Sequence, residues 1–156
     1  RILSRYLDCS PRDVQFAVED RGKPRIPGSE LEFNLSHGAA LALIAVARGR
    51  QVGVDVECQR PIPDLDGLLE RVCTHEERAV LAATPSTERE GAFLALWTRK
   101  EAVAKMTGDG LRAIGRDAWR ETGYAADHRL EQLTDLPGYS ACVAATGTDW
   151  RLVRCN

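Results

Sequence analysis

Helix and strand signals come in blocks along this chain of 156 residues, and they predict a mixed fold of helices and small sheets. Three observations carry that prediction. Residues 51–58 alternate valines with Gly53, Asp55 and Glu57, the period of two that belongs to a strand. Residues 92–106 hold no Pro or Gly and are rich in Ala, Leu, Arg, Lys and Glu, which predicts helix. Residues 139–145 and 150–153 are apolar runs separated by a turn at Gly147-Thr148-Asp149, which predicts an antiparallel hairpin at the C-terminus.

At 44% hydrophobic and 28% charged, the chain has an ordinary globular balance and enough length for one domain or two small subdomains with a core. Its net charge of −2 argues against a nucleic-acid-binding domain built on phosphate contacts, though not against a local basic pocket for a small phosphorylated ligand. Five cysteines, an odd number without a CxxC pair, make neither a zinc pattern nor a disulfide framework, so a reducing, cytoplasmic compartment is expected. No apolar run reaches membrane-spanning length, and no signal-peptide pattern is present. The chain begins at Arg1 and its single methionine is Met106, so it is expected to be a fragment, a processed chain or one piece of a longer protein.

From the N-terminus, Ile2, Leu3, Tyr6 and Leu7 recur at helical spacing, and Ser10-Pro11 opens the next element. Val14, Phe16 and Val18 alternate with Gln15 and Ala17 as in a strand. Asp20-Arg21-Gly22-Lys23-Pro24 is a turn, and Lys23 in it is either a solvated loop lysine or a phosphate contact beside a flexible glycine. Residues 32–36 form a short strand with Phe33 and Leu35 on one face, Asn34 and Ser36 on the other; His37 and Gly38 then turn the chain. Residues 39–47 are strongly apolar and read as a buried strand, although the alanines leave helix open. Asn34, Ser36 and His37, clustered at a strand end, suit either a structural role or ligand contacts.

In the next strand, residues 51–58, the two carboxylates Asp55 and Glu57 stand roughly 7 Å apart along one face. They are either the solvated face of an edge strand or part of a magnesium site completed by waters and a substrate pyrophosphate. A proline-marked connection leads to a short helix at 65–72. Thr74 with Glu77 makes a capping box for the helix after it, a sufficient structural reason for Glu77. Ser86 or Thr87 caps the long helix that follows, roughly residues 88–106. On that helix Trp97, Glu101 and Lys105 share one face, and Gly108 and Gly110 end it. Alone, Glu101 and Lys105 read as a surface ion pair; beside Asp55 and Glu57 they read as the wall of a site. His128 lies in a polar segment and reads as a surface residue.

Taken together, Phe33-Asn34-Leu35-Ser36-His37, Val52-Gly53-Val54-Asp55-Val56-Glu57 and Trp97-Thr98-Arg99-Lys100-Glu101-Ala102-Val103-Ala104-Lys105 resemble the Sfp-type 4′-phosphopantetheinyl transferases. Those enzymes act on carrier proteins of polyketide, nonribosomal peptide or fatty acid synthesis. Gly22-Lys23-Pro24 and Gly108-Asp109-Gly110-Leu111 fit as well, so the likeness runs over about residues 1–111.

The resemblance implies an α+β fold: a pseudo-twofold pair of subdomains, each a small antiparallel sheet on a long helix. Residues 1–50 would be the remainder of the first subdomain and residues 51–156 the second. It implies Mg²⁺-dependent transfer of the phosphopantetheine arm from coenzyme A to a serine of an apo acyl or peptidyl carrier protein, releasing adenosine 3′,5′-bisphosphate. Asp55, Glu57 and Glu101 would hold the Mg²⁺, for which Mn²⁺ could substitute. Lys105, supported by Lys100, would meet the coenzyme A phosphates; Ser36 and His37 would contact phosphate groups; Lys23 and Pro24 would bind the nucleotide end. The proton acceptor would be Glu101, with Glu77 second. Family members carry a further N-terminal stretch, so the alternatives are a truncated relative that binds coenzyme A or a carrier protein without turnover, or another Mg²⁺-dependent enzyme acting on a pyrophosphate. No nucleic-acid or membrane partner is expected.

Overall fold

A computed structural model describes residues 1–18, 22–110 and 127–155. The expectations for Asp20, Arg21 and Leu111 fall outside these residues. The fold is α+β. Helix α1 (Ile2–Leu7) leads to the two-residue strands β1 (Ala17–Val18) and β2 (Pro24–Arg25), then to the hairpin of β3 (Leu31–Gly38) and β4 (Leu41–Arg48). Strand β5 (Val52–Cys58), helices α2 (Leu65–Val72), α3 (His75–Ala83) and α4 (Ser86–Thr107), and strands β6 (His128–Leu133) and β7 (Tyr139–Thr146) complete it. The second sheet is antiparallel with β7 in the middle, in the order β5-β7-β6.

The alternation in β5 sets the layers. Val52, Val54 and Val56 are buried with Ala141, Val143 and Ala145 of β7, and Leu41, Leu43, Ala45 and Ala47 of β4 pack over them. The other face of the sheet meets α4, where Ala102, Val103 and Met106 pack on Cys142 and Ala144. On its far side α4 buries Phe93 and Leu94 against Leu69, Cys73 and Leu81 of the α2–α3 region. A helix covered on several sides needs no polar stripe, which explains why α4 lacks a single apolar face.

Gly53 makes this packing possible. A Cβ at Gly53 would lie 2.0 Å from the Ala102 carbonyl oxygen and 2.4 Å from the Met106 nitrogen. The backbones of β5 and α4 therefore touch, which a side chain forbids. The glycine does more than leave room beside the acids.

Several elements differ from the sequence expectation. The long helix starts at Ser86 with Pro85 as its N-cap, and no side chain caps it; the Pro85 carbonyl accepts from Glu88 N–H instead, leaving Ser86 and Thr87 inside the first turn. Residues 41–48 do form a strand, but it is not buried: β4 pairs only with β3 among the described residues, and Ile44 is exposed. The turn falls at Ala39-Ala40, and β3 runs through Gly38, whose missing side chain lets it approach the Val56 carbonyl. The first strand shrinks to Ala17–Val18, with Phe16 and Val18 exposed.

The C-terminal hairpin is not formed by residues 150–153, which join no strand. The partner of β7 is β6, and His128 at its start has a side chain only 4% accessible, beside Asp127. A central strand made of Ala, Cys and Val needs neighbours on both edges, and β6 supplies the second. Trp150 folds back instead: its indole N–H donates to the carbonyls of Ala145 and Gly147, and Arg129 lies over its ring.

Two predictions follow from this packing. Gly53→Ala should cost about 3 kcal/mol or more in urea unfolding, because the obstruction is backbone and not a flexible side chain. In thiol labelling of the native protein at pH 8, exposed Cys9 and Cys155 should react readily. Cys73 and Cys142 should react only on unfolding, since burial pushes their thiols up to about 11 and about 12 respectively.

Candidate active site

Asp55 and Glu57 project from β5 on the side that meets α4, as the strand's period of two requires. Glu101 and Lys105 project from α4, one turn apart. Contact at Gly53 brings the two elements together, and β3 adds Ser36. The Lys105 ammonium lies 2.6 Å from Asp55 Oδ1 and 3.1 Å from Ser36 Oγ, while Ser36 Oγ–H donates to the same Asp55 oxygen at 2.9 Å. Asp55 is only 3% exposed, so it is no solvated edge residue. Its second oxygen, Oδ2, is buried with no hydrogen-bond partner among the described residues.

The two flanking carboxylates feel this crowding. Burial, then the charge of Asp55, pushes Glu57 above the usual carboxylate range, against a hydrogen bond from Trp97 and the charges of Lys105 and Arg60. Burial, then Asp55, likewise raises Glu101; Lys105 offsets this and Glu57 adds to it. Asp55 thus lies close enough to both glutamates to oppose their ionisation. A divalent cation would relieve that opposition, and an all-oxygen donor set with one orphaned carboxylate oxygen fits a hard ion such as magnesium. As the side chains stand, no three His, Cys, Asp or Glu groups among the described residues are arranged to ligate one ion; magnesium commonly takes one or two carboxylates and completes its shell with water and phosphate.

Other candidate residues lie elsewhere. Lys100 and Glu77 form a separate buried ion pair at 2.8 Å, and Lys100 also donates to the Val72 carbonyl at 2.6 Å. The same Glu77 oxygen accepts from Thr74 N–H at 2.7 Å, while Thr74 Oγ1 accepts from Glu77 N–H, so the expected capping box is present. The two residues bind the α2–α3 junction to α4, turned away from Asp55.

Lys23 is buried rather than solvated. Its ammonium donates to the Met106 carbonyl at 2.7 Å, a cation at the C-terminal end of α4, one residue from Lys105. Pro24 follows it in β2. His37 is exposed, on the opposite face of β3 from buried Ser36, so the two neighbours do not enter the site together. A cavity of about 640 Å³ lies on another side of α4, lined by Glu77, Leu81, Leu96, Arg99, Leu130 and Cys142; none of the Asp55 cluster lines it.

Two contacts at the site have no counterpart in the sequence reading. The Trp97 side chain lies beside Glu57 and holds its proton affinity down; its place one turn before Glu101 on the same helix face was the available signal. Asn34 accepts from Val54 N–H at 3.0 Å and Ser36 from Val56 N–H at 3.2 Å, so β3 side chains satisfy the edge of β5. No local pattern announces a bond of that kind.

Comparison with known proteins bears on this arrangement. The family model described as the 4′-phosphopantetheinyl transferase superfamily matches residues 51–139, the stretch that holds β5, the helices α2 to α4 and β6. The chain is 44% identical to the 4′-phosphopantetheinyl transferase HetI of Nostoc sp. over 72% of its own length and 49% of that protein. It is 31% identical to Sfp of Bacillus subtilis over 70% of its length and 48% of that protein. With ffp of Bacillus subtilis it shares 31% identity over 96% of its length and 70% of that protein. The chain spans about half the length of HetI and Sfp. The matched span covers more than half of the chain and contains the acids of β5 together with the Glu101–Lys105 turn of α4, so the chain belongs to the 4′-phosphopantetheinyl transferase superfamily.

Proposed function

We propose that this protein transfers the 4′-phosphopantetheine arm of coenzyme A to a serine of an apo acyl or peptidyl carrier protein, with Mg²⁺ bound by Asp55, Glu57 and Glu101. One observation carries the proposal: Glu57, Glu101 and Lys105 gather around a buried, partly unsatisfied Asp55. A pyrophosphate could not approach that negative cluster unless a cation lay between them. A magnesium ion there would offset the pyrophosphate charge and the charge that develops on the departing phosphate.

The chain's own groups then have distinct tasks. Two of the three N–H donors of Lys105 meet Asp55 and Ser36, which leaves the third for a phosphate oxygen. Glu101 takes the proton of the carrier serine as its oxygen bonds to phosphorus. The bond to the bridging pyrophosphate oxygen breaks, and adenosine 3′,5′-bisphosphate departs with the bonding pair. Glu77 ranks behind Glu101 because its engaged oxygen already serves Lys100 and Thr74. The division into subdomains at about residue 50, and nucleotide contacts from Lys23, Pro24 and His37, belong to the same proposal.

The protein, in the longest form its gene encodes, should add one phosphopantetheine mass to an apo carrier protein when coenzyme A and Mg²⁺ are present. No mass gain on any of several apo carriers would refute the activity. Asp55→Asn and Glu101→Gln should each abolish transfer with an unchanged circular dichroism spectrum; near-normal turnover in both would refute the metal assignment. The choice of base rests on a comparison of kcat. Glu101→Gln should lose about 10²- to 10⁴-fold, whereas Glu77→Gln, which keeps an oxygen for Lys100 and Thr74, should stay within about tenfold of wild type. The opposite order would move the base to Glu77.

A further inference from the structure

We infer that Ser36 is a positioning residue for Asp55 rather than a contact for the substrate's phosphates. The inference rests on the metal site proposed above and deepens it. A hydroxyl has one proton to donate and two lone pairs to accept with. Ser36 Oγ uses all three: it donates to Asp55 Oδ1 at 2.9 Å and accepts from Val56 N–H at 3.2 Å and from the Lys105 ammonium at 3.1 Å. Phosphate oxygens are acceptors, and the only proton Ser36 could offer them is already on Asp55.

The consequence falls on Asp55. Its Oδ1 receives both Ser36 Oγ–H and the Lys105 ammonium, at 2.6 Å. Its Oδ2, in a buried position, receives nothing among the described residues. The carboxylate is thereby divided. One oxygen is fixed by the protein and the other is left without a protein partner among the described residues, on a side chain that neighbours Glu57 and Glu101. Ser36 is itself fixed by the β5 backbone through Val56, so the carboxylate plane is set by two elements at once. Hydrogen bonds of this second rank orient metal-ligating groups and control affinity.

The test uses Mn²⁺ as a paramagnetic probe, titrated into the purified protein and read by electron paramagnetic resonance. Ser36→Ala should weaken Mn²⁺ binding by about tenfold or more, and Ser36→Thr, which keeps the hydroxyl, should recover most of it. Asn34→Ala serves as the structural control. It removes the equivalent bond to Val54 N–H without touching Asp55, so it should lower the melting temperature yet leave Mn²⁺ affinity within about twofold. Coenzyme A affinity of Ser36→Ala, measured by calorimetry at saturating Mn²⁺, should also stay within about twofold of wild type.

Unchanged Mn²⁺ affinity with lost coenzyme A affinity in Ser36→Ala would make Ser36 a phosphate contact and overturn the inference. Equal Mn²⁺ losses in Ser36→Ala and Asn34→Ala would reduce Ser36 to a structural residue. A wild-type protein that binds no Mn²⁺ would refute the metal site itself, and the inference with it; wild-type binding that Ser36→Ala leaves unmoved refutes the inference alone.

Discussion

The contact between the backbones of β5 and α4 at Gly53 is the constraint on which the site depends. With any side chain at this position the helix would stand off the sheet, because a Cβ would occupy the space of the Ala102 carbonyl and the Met106 nitrogen. The positions of Glu101 and Lys105 follow from that contact. They lie on the same two turns as Ala102 and Met106, so the distance that Gly53 allows is also the distance that lets Lys105 reach Asp55 at 2.6 Å. The apolar residues on both elements, Val103 and Met106 against Cys142 and Ala144, supply the burial that keeps the contact closed.

The same helix holds two ionic clusters of different composition. Lys100 and Glu77 are a structural pair: the ammonium has a carboxylate and the Val72 carbonyl, and Glu77 Oε2 also receives Thr74 N–H, while Glu77 Oε1 is buried without a partner among the described residues. Removing one partner of such a pair leaves a buried charge and costs about 3–5 kcal/mol, which is how structural ion pairs behave. The Asp55 cluster carries more negative charge: Asp55 raises the proton affinity of both Glu57 and Glu101, Lys105 offsets it, and Asp55 Oδ2 is buried without a partner among the described residues.

How much of this is legible in the sequence depends on how local each cause is. The strand of residues 52–58 and its two faces are written in an alternation of valines with Gly, Asp and Glu, and the capping box in Thr74 and Glu77, because both are set by neighbours a few positions apart. The clustering of Asp55 with Lys105 is legible once strand and helix are each read as one-sided. The partner of β7 is not: residues 150–153 have the composition of a strand, while His128–Leu133 are polar, and the choice was made by which segment could complete the sheet edge. The partition of the lysines is equally opaque. Lys100 and Lys105 look alike in the sequence, but one faces the α2–α3 junction and the other the sheet, a difference that only tertiary packing creates.

The join between β3 and β5 shows how a structural need and a chemical one meet in one side chain. The two strands belong to different sheets, yet the N–H groups of Val54 and Val56 are satisfied by Asn34 and Ser36. A regular ladder would have offered backbone carbonyls to those N–H groups and satisfied them equally well. It would not have offered a proton to Asp55. A carbonyl only accepts, whereas a serine hydroxyl accepts from the backbone and donates to the carboxylate through the same atom. Replacing the ladder with side chains therefore makes the β3–β4 hairpin part of the electrostatics of the acid cluster. Any shift of the hairpin against β5 must also move the proton that holds Asp55 Oδ1, so the docking of the N-terminal hairpin and the orientation of the buried carboxylate are a single structural variable.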